Sequence, residues 1–310
     1  MKYILPILVV LTSVIGSLAN TYISSNDWYA ELIKSPLNPP SYVFGIVTME
    51  IRIDGKAALI TGGSQGLGKG MALRFAEAGA DIAIIARGHE MLDKAKEEID
   101  AAGDGKVVAI SCDLMDQEAT KDAFAMAETL LGKVDILVNN AGASKAGPFL
   151  NITDKEWHDD FELKLFAAIR LCRLALPAMQ SRKWGRIINV LNIGSKAPSA
   201  NGAPTAVARA AGLSLTKVLA NTGAPDNVLV NALLVGFIKS GQWERLYSDK
   251  KPNQSYEDFL QDMVDVRNIP LGRIGETEEF ANTALFLASE AGGYITGAAI
   301  NVDGGKSPVV

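Results

Sequence analysis

The residues from Thr61 to Gly68, Thr-Gly-Gly-Ser-Gln-Gly-Leu-Gly, have the composition and spacing of a loop that binds phosphate. The apolar run Lys56–Thr61 predicts a strand before the loop, and Lys69–Ala78 predicts a helix after it. Glycines permit a tight turn and a close approach to a ligand, and a helix N-terminus attracts a pyrophosphate. An ordinary strand–helix turn is the alternative. The segment predicts a dinucleotide site with contacts from Gly62, Ser64, Gln65, Gly66, Leu67 and Gly68.

The second predicted strand, Asp81–Arg87, ends in a basic residue. A site selective for NAD needs a carboxylate at this point, roughly 20 residues beyond the glycine turn, to accept a hydrogen bond from the ribose. Arg87 instead offers a guanidinium, which suits a 2′-phosphate. We therefore predict NADP(H) as the cofactor; the alternative is that Arg87 is a solvated surface residue.

Strand-like and helix-like segments alternate through the rest of the chain. Continuous apolar strands separated by helices predict a parallel sheet that is covered on both faces. The predicted fold is α/β: a doubly wound, Rossmann-like sheet in a single domain at residues 49–310, preceded by one N-terminal hydrophobic helix at residues 1–48. The further predicted strands are Lys106–Ser111, Val134–Val138, Arg186–Ile193, Val228–Leu233 and Ala298–Val302, and the last helix is Glu276–Ser289.

From about Met49 to Lys306 the chain resembles the short-chain dehydrogenase/reductase family. The resemblance depends on the glycine loop, on Asn139-Asn-Ala-Gly142 and on the closing segment Ile295–Gly305. Where the family has Pro-Gly-x-x-x-Thr, this chain has Val235-Gly-Phe-Ile-Lys-Ser240. The resemblance implies further cofactor contacts from Asp113, Leu114, Asn140, Ala141, Gly142, Arg209 and Ser240.

The same resemblance implies four catalytic positions, and this sequence departs from the family at each. Asn192 stands in place of the serine that holds the substrate oxygen, and Thr205 in place of the tyrosine that acts as general acid/base. Arg209 replaces the lysine that lowers the tyrosine pKa and holds the ribose, and Lys164 replaces the asparagine that holds a proton-relay water. Asn192 can still donate to a carbonyl, and Arg209 can still hold the ribose. Thr205 is the serious loss, because an aliphatic hydroxyl is a far weaker acid than a phenol.

A complete cofactor site combined with substituted catalytic residues leaves two main interpretations of the function. We predict an NADP(H)-dependent oxidoreductase that acts on a carbonyl or alcohol with substituted catalytic residues, because general acid catalysis contributes only ~10²–10⁴-fold of an enzyme's acceleration. The alternative is a catalytically silent NADP(H)-binding protein that acts as a sensor or oligomer partner. A membrane receptor that depends on the N-terminal segment is a third interpretation.

Several other residues suggest the substrate and the assembly. Lys164, Lys196, Tyr247 and Tyr256 are titratable groups that would need to reach the pocket to replace the phenol; solvated or packing roles are the alternative. Trp243, Tyr247, Tyr256 and Phe259 lie in the segment that covers the substrate in the family, which indicates a small, partly apolar substrate. By resemblance, helices at Asp154–Ser181 and Pro204–Thr222 would form a homodimer or homotetramer.

The first 48 residues have a different character. Tyr3–Ala19 is almost wholly apolar, which fits a membrane helix contacting lipid through residues 3–20, or a signal peptide cleaved after Ala19. Gly16-Ser-Leu-Ala-Asn20, Trp28-Tyr29 and Asn38–Gly45 resemble the first helix and loop of the tryptophan-rich sensory (translocator) protein family. We expect a cytoplasmic domain that this segment anchors, or an upstream remnant ahead of a start at Met49.

Composition excludes other classes of function. The net charge is −5 with no long basic block, which argues against nucleic acid as a partner. Cys112 and Cys172 lack metal-ligand or redox spacing and are predicted to be reduced and buried. With His89 and His158 as the only histidines, no metal site is predicted.

Overall fold

The computed structural model describes residues 50–250 and 253–310. Within them, seven strands form one parallel sheet in the order β3-β2-β1-β4-β5-β6-β7. This confirms the predicted doubly wound sheet. The strands are β1 Ala57–Thr61, β2 Asp81–Ala86, β3 Val107–Ser111, β4 Ile136–Asn139, β5 Gly185–Asn192, β6 Val228–Val235 and β7 Ala299–Val302.

Helices connect the strands and cover both faces of the sheet. Those of the described residues are α1 Gly66–Glu77, α2 His89–Asp100, α3 Gln117–Leu131, α4 Asp154–Phe161, α5 Ala167–Ser181, α6 Thr205–Gly223, α7 Gly241–Lys250, α8 Tyr256–Arg267 and α9 Thr277–Ala288. A π-helical turn, Glu162–Phe166, joins α4 to α5. Short 3-10 turns lie at Phe149–Asn151, Ile193–Ser195, Ala224–Asp226 and Glu290–Gly292.

The two faces of the sheet have separate apolar cores. Phe75 of α1 and Phe280 of α9 are wholly buried in the first core. Phe124 of α3 and Met179 of α5 belong to the second. The central strands β1 and β4 are buried on both faces, which is why their sequences are continuous apolar runs instead of alternating apolar and polar residues. Cys112 and Cys172 are buried free thiols, as predicted.

The strand order reverses between β1 and β4, which are neighbours in the sheet. The chain leaves β1 toward one edge of the sheet and returns to β4 on its way to the other edge. Doubly wound proteins bind ligands in the crevice that such a reversal opens at the carboxyl ends of the strands. Thr61 ends β1 and Asn139 ends β4, so this crevice lies beside the glycine loop.

Predicted element bounds lie within three residues of the observed ones. The first helix begins at Gly66 rather than Lys69, because the glycine-rich turn itself enters the helix. Sequence patterns did not predict α7, α8 or the π-helical turn. Both helices lie in the segment that was expected only as a covering insert.

Predictions about residues 1–49, including the hydrophobic helix, the translocator-family resemblance and the membrane anchor, lie outside the described residues. Across the described residues, no helix combines the length and the apolar character that a bilayer span requires.

Candidate active site

The glycine loop has the conformation that its sequence predicts. Gly62 and Gly66 adopt φ angles of +65° and +55°, in the left-handed region that favours glycine. A Cβ on Gly68 would stand 2.2 Å from the carbonyl oxygen of Gly62, so only glycine allows α1 to start this close to β1. Ser64 is buried within the loop. The loop therefore forms a close turn at the N-terminus of α1.

Thr61 and Asn140 connect the loop to the end of β4. Thr61 Oγ1 accepts hydrogen bonds from the backbone N–H groups of Asn140 and Ala141 at 2.9 and 3.0 Å. The Asn140 side-chain amide donates to the carbonyl oxygens of Thr61 and Gly62 at 2.9 and 3.3 Å. The Asn140 side chain therefore supports the glycine loop by binding its backbone.

Helix α1 begins without a side-chain hydrogen bond from its N-cap residue. Asp116 and Thr153 cap α3 and α4 with side-chain hydrogen bonds, whereas the N-cap side chain of α1 makes no such bond. An uncapped N-terminus leaves N–H groups for an anion. Ser240 faces this point, because its Cβ lies 3.7 Å from where a Cβ of Gly66 would be. Ser240 thus lies opposite the turn that would hold a pyrophosphate.

The residues predicted for the nucleoside end lie along the neighbouring strand ends. Arg87 follows β2 and is exposed, and its carbonyl oxygen accepts a hydrogen bond from Ser111 Oγ at 3.1 Å. Asp113 is exposed as well, whereas Leu114 is buried. Arg87 therefore presents an exposed guanidinium at this strand end, where a phosphate could approach it.

Three of the four predicted catalytic residues come together at the carboxyl ends of β4 and β5. Lys164 lies on the π-helical turn, while Thr205 begins α6 and Arg209 follows one turn later. Lys164 Nζ donates to Thr205 Oγ1 at 3.0 Å. Asn192 ends β5, and its buried Oδ1 has no hydrogen-bond partner among the described residues. The structure therefore joins Lys164, Thr205 and Arg209, and it shows no bond from Asn192 Oδ1 to them.

A buried carboxylate that sequence analysis missed completes the group. Asp160, at the end of α4, is 2% exposed and forms an ion pair with Lys164, which is 7% exposed. Thr205 Oγ1 also donates to Asp160 Oδ1 at 3.3 Å. Burial lowers the pKa of Lys164 from 10.5 to about 8, and Asp160 opposes this by favouring the charged ammonium. The i, i+4 spacing from Lys164 was the available signal.

Arg209 lies against the backbone beneath this group. Its Nη1 donates to the carbonyl oxygen of Val190, while its Nε has no hydrogen-bond partner in the part of the chain that the structure describes. A Cβ on Gly142 would stand 2.9 Å from Arg209 Nη2 and 3.3 Å from Lys164 Cγ, so glycine allows both cations to approach. Burial lowers the pKa of Arg209 to about 10.

A cavity of about 20 Å³ lies beside Lys164 and Arg209. Its volume is close to that of a single water site. Both polar and apolar side chains line it. The lining includes Thr61, Leu114, Asn139, Ala141, Leu163, Lys164, Arg209 and Leu215.

The aromatic residues of the covering segment pack on one another. Tyr247, Tyr256 and Phe259 pack on one another with ring centroids 5.3 to 6.4 Å apart, and Trp243 packs on Phe237. They form a separate small core between α7 and α8. The partly apolar substrate that these side chains suggested stays a prediction, and the two helices of the insert also use the same side chains as a core of their own.

The other titratable candidates also have different roles. The Tyr247 hydroxyl donates to the carbonyl oxygen of Gln254 at 2.7 Å. Lys196 Nζ donates to the carbonyl oxygen of Ala299 and to Asn301 Oδ1 at 2.8 and 3.1 Å, which ties it to β7. Of the groups considered as replacements for the phenol, Lys164 is the one that the structure places against Thr205.

Known proteins resemble the chain over most of its length. Residues 62–307 match the family model described as Enoyl-(Acyl carrier protein) reductase. The chain is 34% identical over 257 residues to the 3-oxoacyl-(acyl-carrier-protein) reductase FabG of Aquifex aeolicus (strain VF5), which covers 83% of this chain and 99% of that protein. The chain belongs to the short-chain dehydrogenase/reductase family. An acetoacetyl-CoA reductase of Rhizobium meliloti (strain 1021), another relative of this short-chain dehydrogenase/reductase, is 32% identical over 81% of this chain and 98% of its own length.

Solved structures of short-chain dehydrogenases/reductases share the fold. The L-sorbose reductase of Gluconobacter frateurii, in complex with NADPH and L-sorbose, is 32% identical with a TM-score of 0.80 and covers 84% of this chain and 100% of that one. An NADPH-bound short-chain oxidoreductase of Pseudomonas aeruginosa PAO1 is 33% identical with a TM-score of 0.78, covering 84% and 99%. That oxidoreductase is described as containing an atypical catalytic center.

The residues of this short-chain dehydrogenase/reductase fit a dinucleotide. A Cβ on Gly66 would meet only Ser240 within 4 Å among the described residues, and α1 begins without a side-chain hydrogen bond from its N-cap residue. At the other end of the crevice, Arg209 Nε and Asn192 Oδ1 are buried without partners among the described residues. Orphaned buried polar atoms are costly, and a ligand in the crevice would satisfy them.

Proposed function

We propose that this short-chain dehydrogenase/reductase transfers hydride between NADP(H) and a carbonyl or alcohol group of a small molecule. Lys164, Asn192, Thr205 and Arg209 take the places of the usual catalytic residues. NADP(H) is the cofactor: relatives of known structure bind NADPH, and Arg87 offers a charge for a 2′-phosphate. Bound NADPH supplies the hydride for reduction.

One observation supports this proposal most strongly. The buried Lys164 ammonium donates a hydrogen bond at 3.0 Å to the hydroxyl of Thr205, which stands where the family has its catalytic tyrosine. A threonine hydroxyl alone is too weak an acid to donate a proton at neutral pH. Lys164, with its pKa lowered to about 8, is close to the acidity that the task requires. Lys164 therefore supplies the acidic proton that Thr205 lacks.

Each residue then has a distinct task. Asn192 donates an amide hydrogen bond to the substrate oxygen, once its side chain is turned toward it. Thr205 gives its hydroxyl proton to that oxygen as negative charge develops on it, and Lys164 replaces the proton from its ammonium. Lys164 is left as a neutral amine, which regains a proton from water before the next turnover. Alcohol oxidation reverses each transfer.

Arg209 holds the nucleotide rather than moving a proton. A guanidinium stays protonated at neutral pH, even with a pKa lowered to about 10. Its unpartnered Nε is a donor that suits ribose hydroxyls. Its positive charge also stabilises negative charge that develops on the substrate oxygen.

A silent NADP(H)-binding protein is the second candidate. It is favoured by the departure of all four catalytic positions from the family pattern and by the Asp160–Lys164 ion pair, which also has a structural interpretation. The two candidates differ in a single respect, which is turnover of a bound substrate.

Turnover and binding by the full chain separate the two functions. NADPH oxidation would be followed with aliphatic ketones, ketoses and a 3-oxoacyl thioester, while calorimetry measures NADPH affinity. Lys164→Met and Thr205→Val should lower turnover by about 10²–10⁴-fold and leave NADPH affinity unchanged. Lys155→Met and Thr129→Val, on exposed helix faces, are matched controls. Tight NADPH binding with no turnover of any substrate would favour the silent protein.

A small, partly apolar substrate stays a prediction. It is supported by the aromatic residues of the segment that covers the substrate in the family, although their rings also pack on one another. Rates with ketones of increasing alkyl length test this, and a preference for the most polar ketose would contradict it.

The assembly and the membrane contact stay predictions. Phe166 and Val207 are exposed apolar residues on the helical segments proposed for a homodimer or homotetramer, and light scattering would give the mass. Flotation of the full chain with vesicles, compared with a chain that starts at Met49, tests whether residues 3–20 contact the membrane and anchor a cytoplasmic domain. Equal flotation of the two chains would contradict the anchor.

A further inference from the structure

Asp160 is a buried acid that none of the four family positions includes. Acidic neighbours on the same helix, such as Asp154 and Asp159, keep contact with solvent, whereas Asp160 is 2% exposed. Burying a carboxylate is costly unless a cation and hydrogen-bond donors compensate it. The compensating groups here are Lys164 and Thr205, both of which belong to the proposed catalytic site.

The backbone brings Asp160 and Lys164 to the same side of the helical segment. Residues four apart on a helix share a face, and the π-helical turn Glu162–Phe166 begins between these two. Such turns occur as local bulges and are frequent at functional sites. The side chains of both residues are only 1% exposed, so the pair points inward.

The hydrogen bonds around Thr205 define the direction of its hydroxyl. Its Oγ1 accepts from Lys164 Nζ at 3.0 Å and from the backbone N–H of Lys145 at 3.2 Å. Both acceptor positions of a hydroxyl are then occupied, which leaves its proton to be donated. That proton points to Asp160 Oδ1 at 3.3 Å, a long and therefore weak hydrogen bond that a substrate oxygen can replace.

We propose that Asp160 is a positioning residue of the proton-transfer group, and that its carboxylate holds Lys164 as a charged donor against Thr205. The inference rests on the proposed function, because it concerns the proton that Lys164 supplies. The proton moves from Lys164 Nζ to Thr205 Oγ1 as the Thr205 proton moves to the substrate oxygen. Asp160 stays a carboxylate throughout.

The charges that face Lys164 explain why the carboxylate is needed. Arg209 of α6 and Lys145 of the loop after β4 are both cations, and both favour loss of the Lys164 proton. Burial acts in the same direction. Asp160 is the group that opposes them. Without it, three cations would share the site and Lys164 would be neutral at the pH where reduction needs an acid.

The pH dependence of reduction by Asp160→Asn tests the proposal. An opposite charge at this range alters a pKa by about 1–3 units, so the pH above which kcat/KM for ketone reduction falls should move down by about 1–3 units. NADPH affinity should stay within about threefold of the unmodified protein, because Asp160 does not line the cofactor crevice. Asp160→Glu, which keeps the charge, should restore much of the original profile.

Asp159→Asn is the matched control, since it removes a neighbouring carboxylate that pairs with Lys155 at the surface. Its pH profile should equal that of the unmodified protein. If Asp160→Asn lowers the melting temperature and the rate without moving the pH profile, Asp160 is only structural and the proposal is overturned.

A second measurement needs no turnover. Nitrogen-15 NMR of lysine side chains in the full chain would follow titration of Lys164, with Lys164→Met to assign its signal. We expect the Lys164 signal to titrate at lower pH in Asp160→Asn and at unchanged pH in Asp159→Asn. An equal titration in all three proteins would overturn the proposal. If Lys164 titrates at lower pH in Asp160→Asn but the unmodified protein turns over no substrate, the result would instead count against the proposed function.

Discussion

The Arg209 guanidinium donates a hydrogen bond from Nη1 to the carbonyl oxygen of Val190, which connects helix α6 to strand β5. The guanidinium also lies beside Gly142, and its Nε is buried without a partner in the described part of the chain. A side chain held by the scaffold in this way loses little freedom when it binds a ligand.

Replacing Arg209 should therefore weaken cofactor binding. We expect Arg209→Ala to raise the Kd for NADPH by about 10–100-fold, the cost of losing hydrogen bonds from a charged group. Arg209→Lys should retain part of the affinity, since an ammonium can still reach a ribose hydroxyl. Calorimetry checks both, with the exposed Arg173→Ala as control. Equal NADPH affinity in all four proteins would contradict this role.

Cofactor selectivity should depend on Arg87. Arg87→Ala should weaken NADPH binding by about 10–100-fold and leave NADH binding unchanged, because only NADPH carries the 2′-phosphate. Binding of the two nucleotides to the same preparation provides the internal comparison. A parallel loss for both nucleotides would mean that Arg87 supports the fold rather than the phosphate.

The glycine loop should not tolerate a side chain at Gly68. Gly68→Ser would place a Cβ 2.2 Å from the Gly62 carbonyl oxygen, and we expect it to lower the free energy of unfolding by about 1–3 kcal/mol. Gly88→Ser is the matched control, because nothing lies within 4 Å of its Cβ position and serine caps helices well. Its change should stay within about 0.5 kcal/mol. Denaturant unfolding measures both.

Ketone reduction should slow in alkaline solution. The pKa of Lys164 is lowered from 10.5 to about 8, mainly by burial, so its ammonium is present below that pH and lost above it. Because the ammonium is the proposed acid, kcat/KM for reduction should be constant at lower pH and fall about tenfold per unit above about 8. Lys164→Met should remove this inflection. A profile that is unchanged in Lys164→Met would show that another group titrates.

Lys164 should also make the stability of the fold depend on pH, and stability should rise where the rate of reduction falls. Between about 8 and 10.5, an unfolded Lys164 still binds a proton that the folded residue has lost. Where the unfolded state binds more protons, the free energy of unfolding rises with pH. The contribution of Lys164 to stability should therefore rise across this window. Urea unfolding of the unmodified protein and Lys164→Met measures it, and a difference that stays constant with pH would contradict it.

Local sequence was enough to determine the fold and the glycine turn. Strand and helix periods depend on neighbouring residues, so the parallel sheet and the glycine turn at Thr61–Gly68 follow from patterns a few residues long. Their bounds agree with the structure to within three residues. The family position of Lys164 was also evident, although its role was not.

Tertiary structure decided which side chains meet. Thr205 lies 45 residues from Asp160, and no local pattern shows that the π-helical turn directs Lys164 toward both. The aromatic residues of α7 and α8 were identified from sequence, yet packing directed them into a core of their own. Periodicity determines the face on which a residue lies, whereas its partner across that face depends on how the elements pack together.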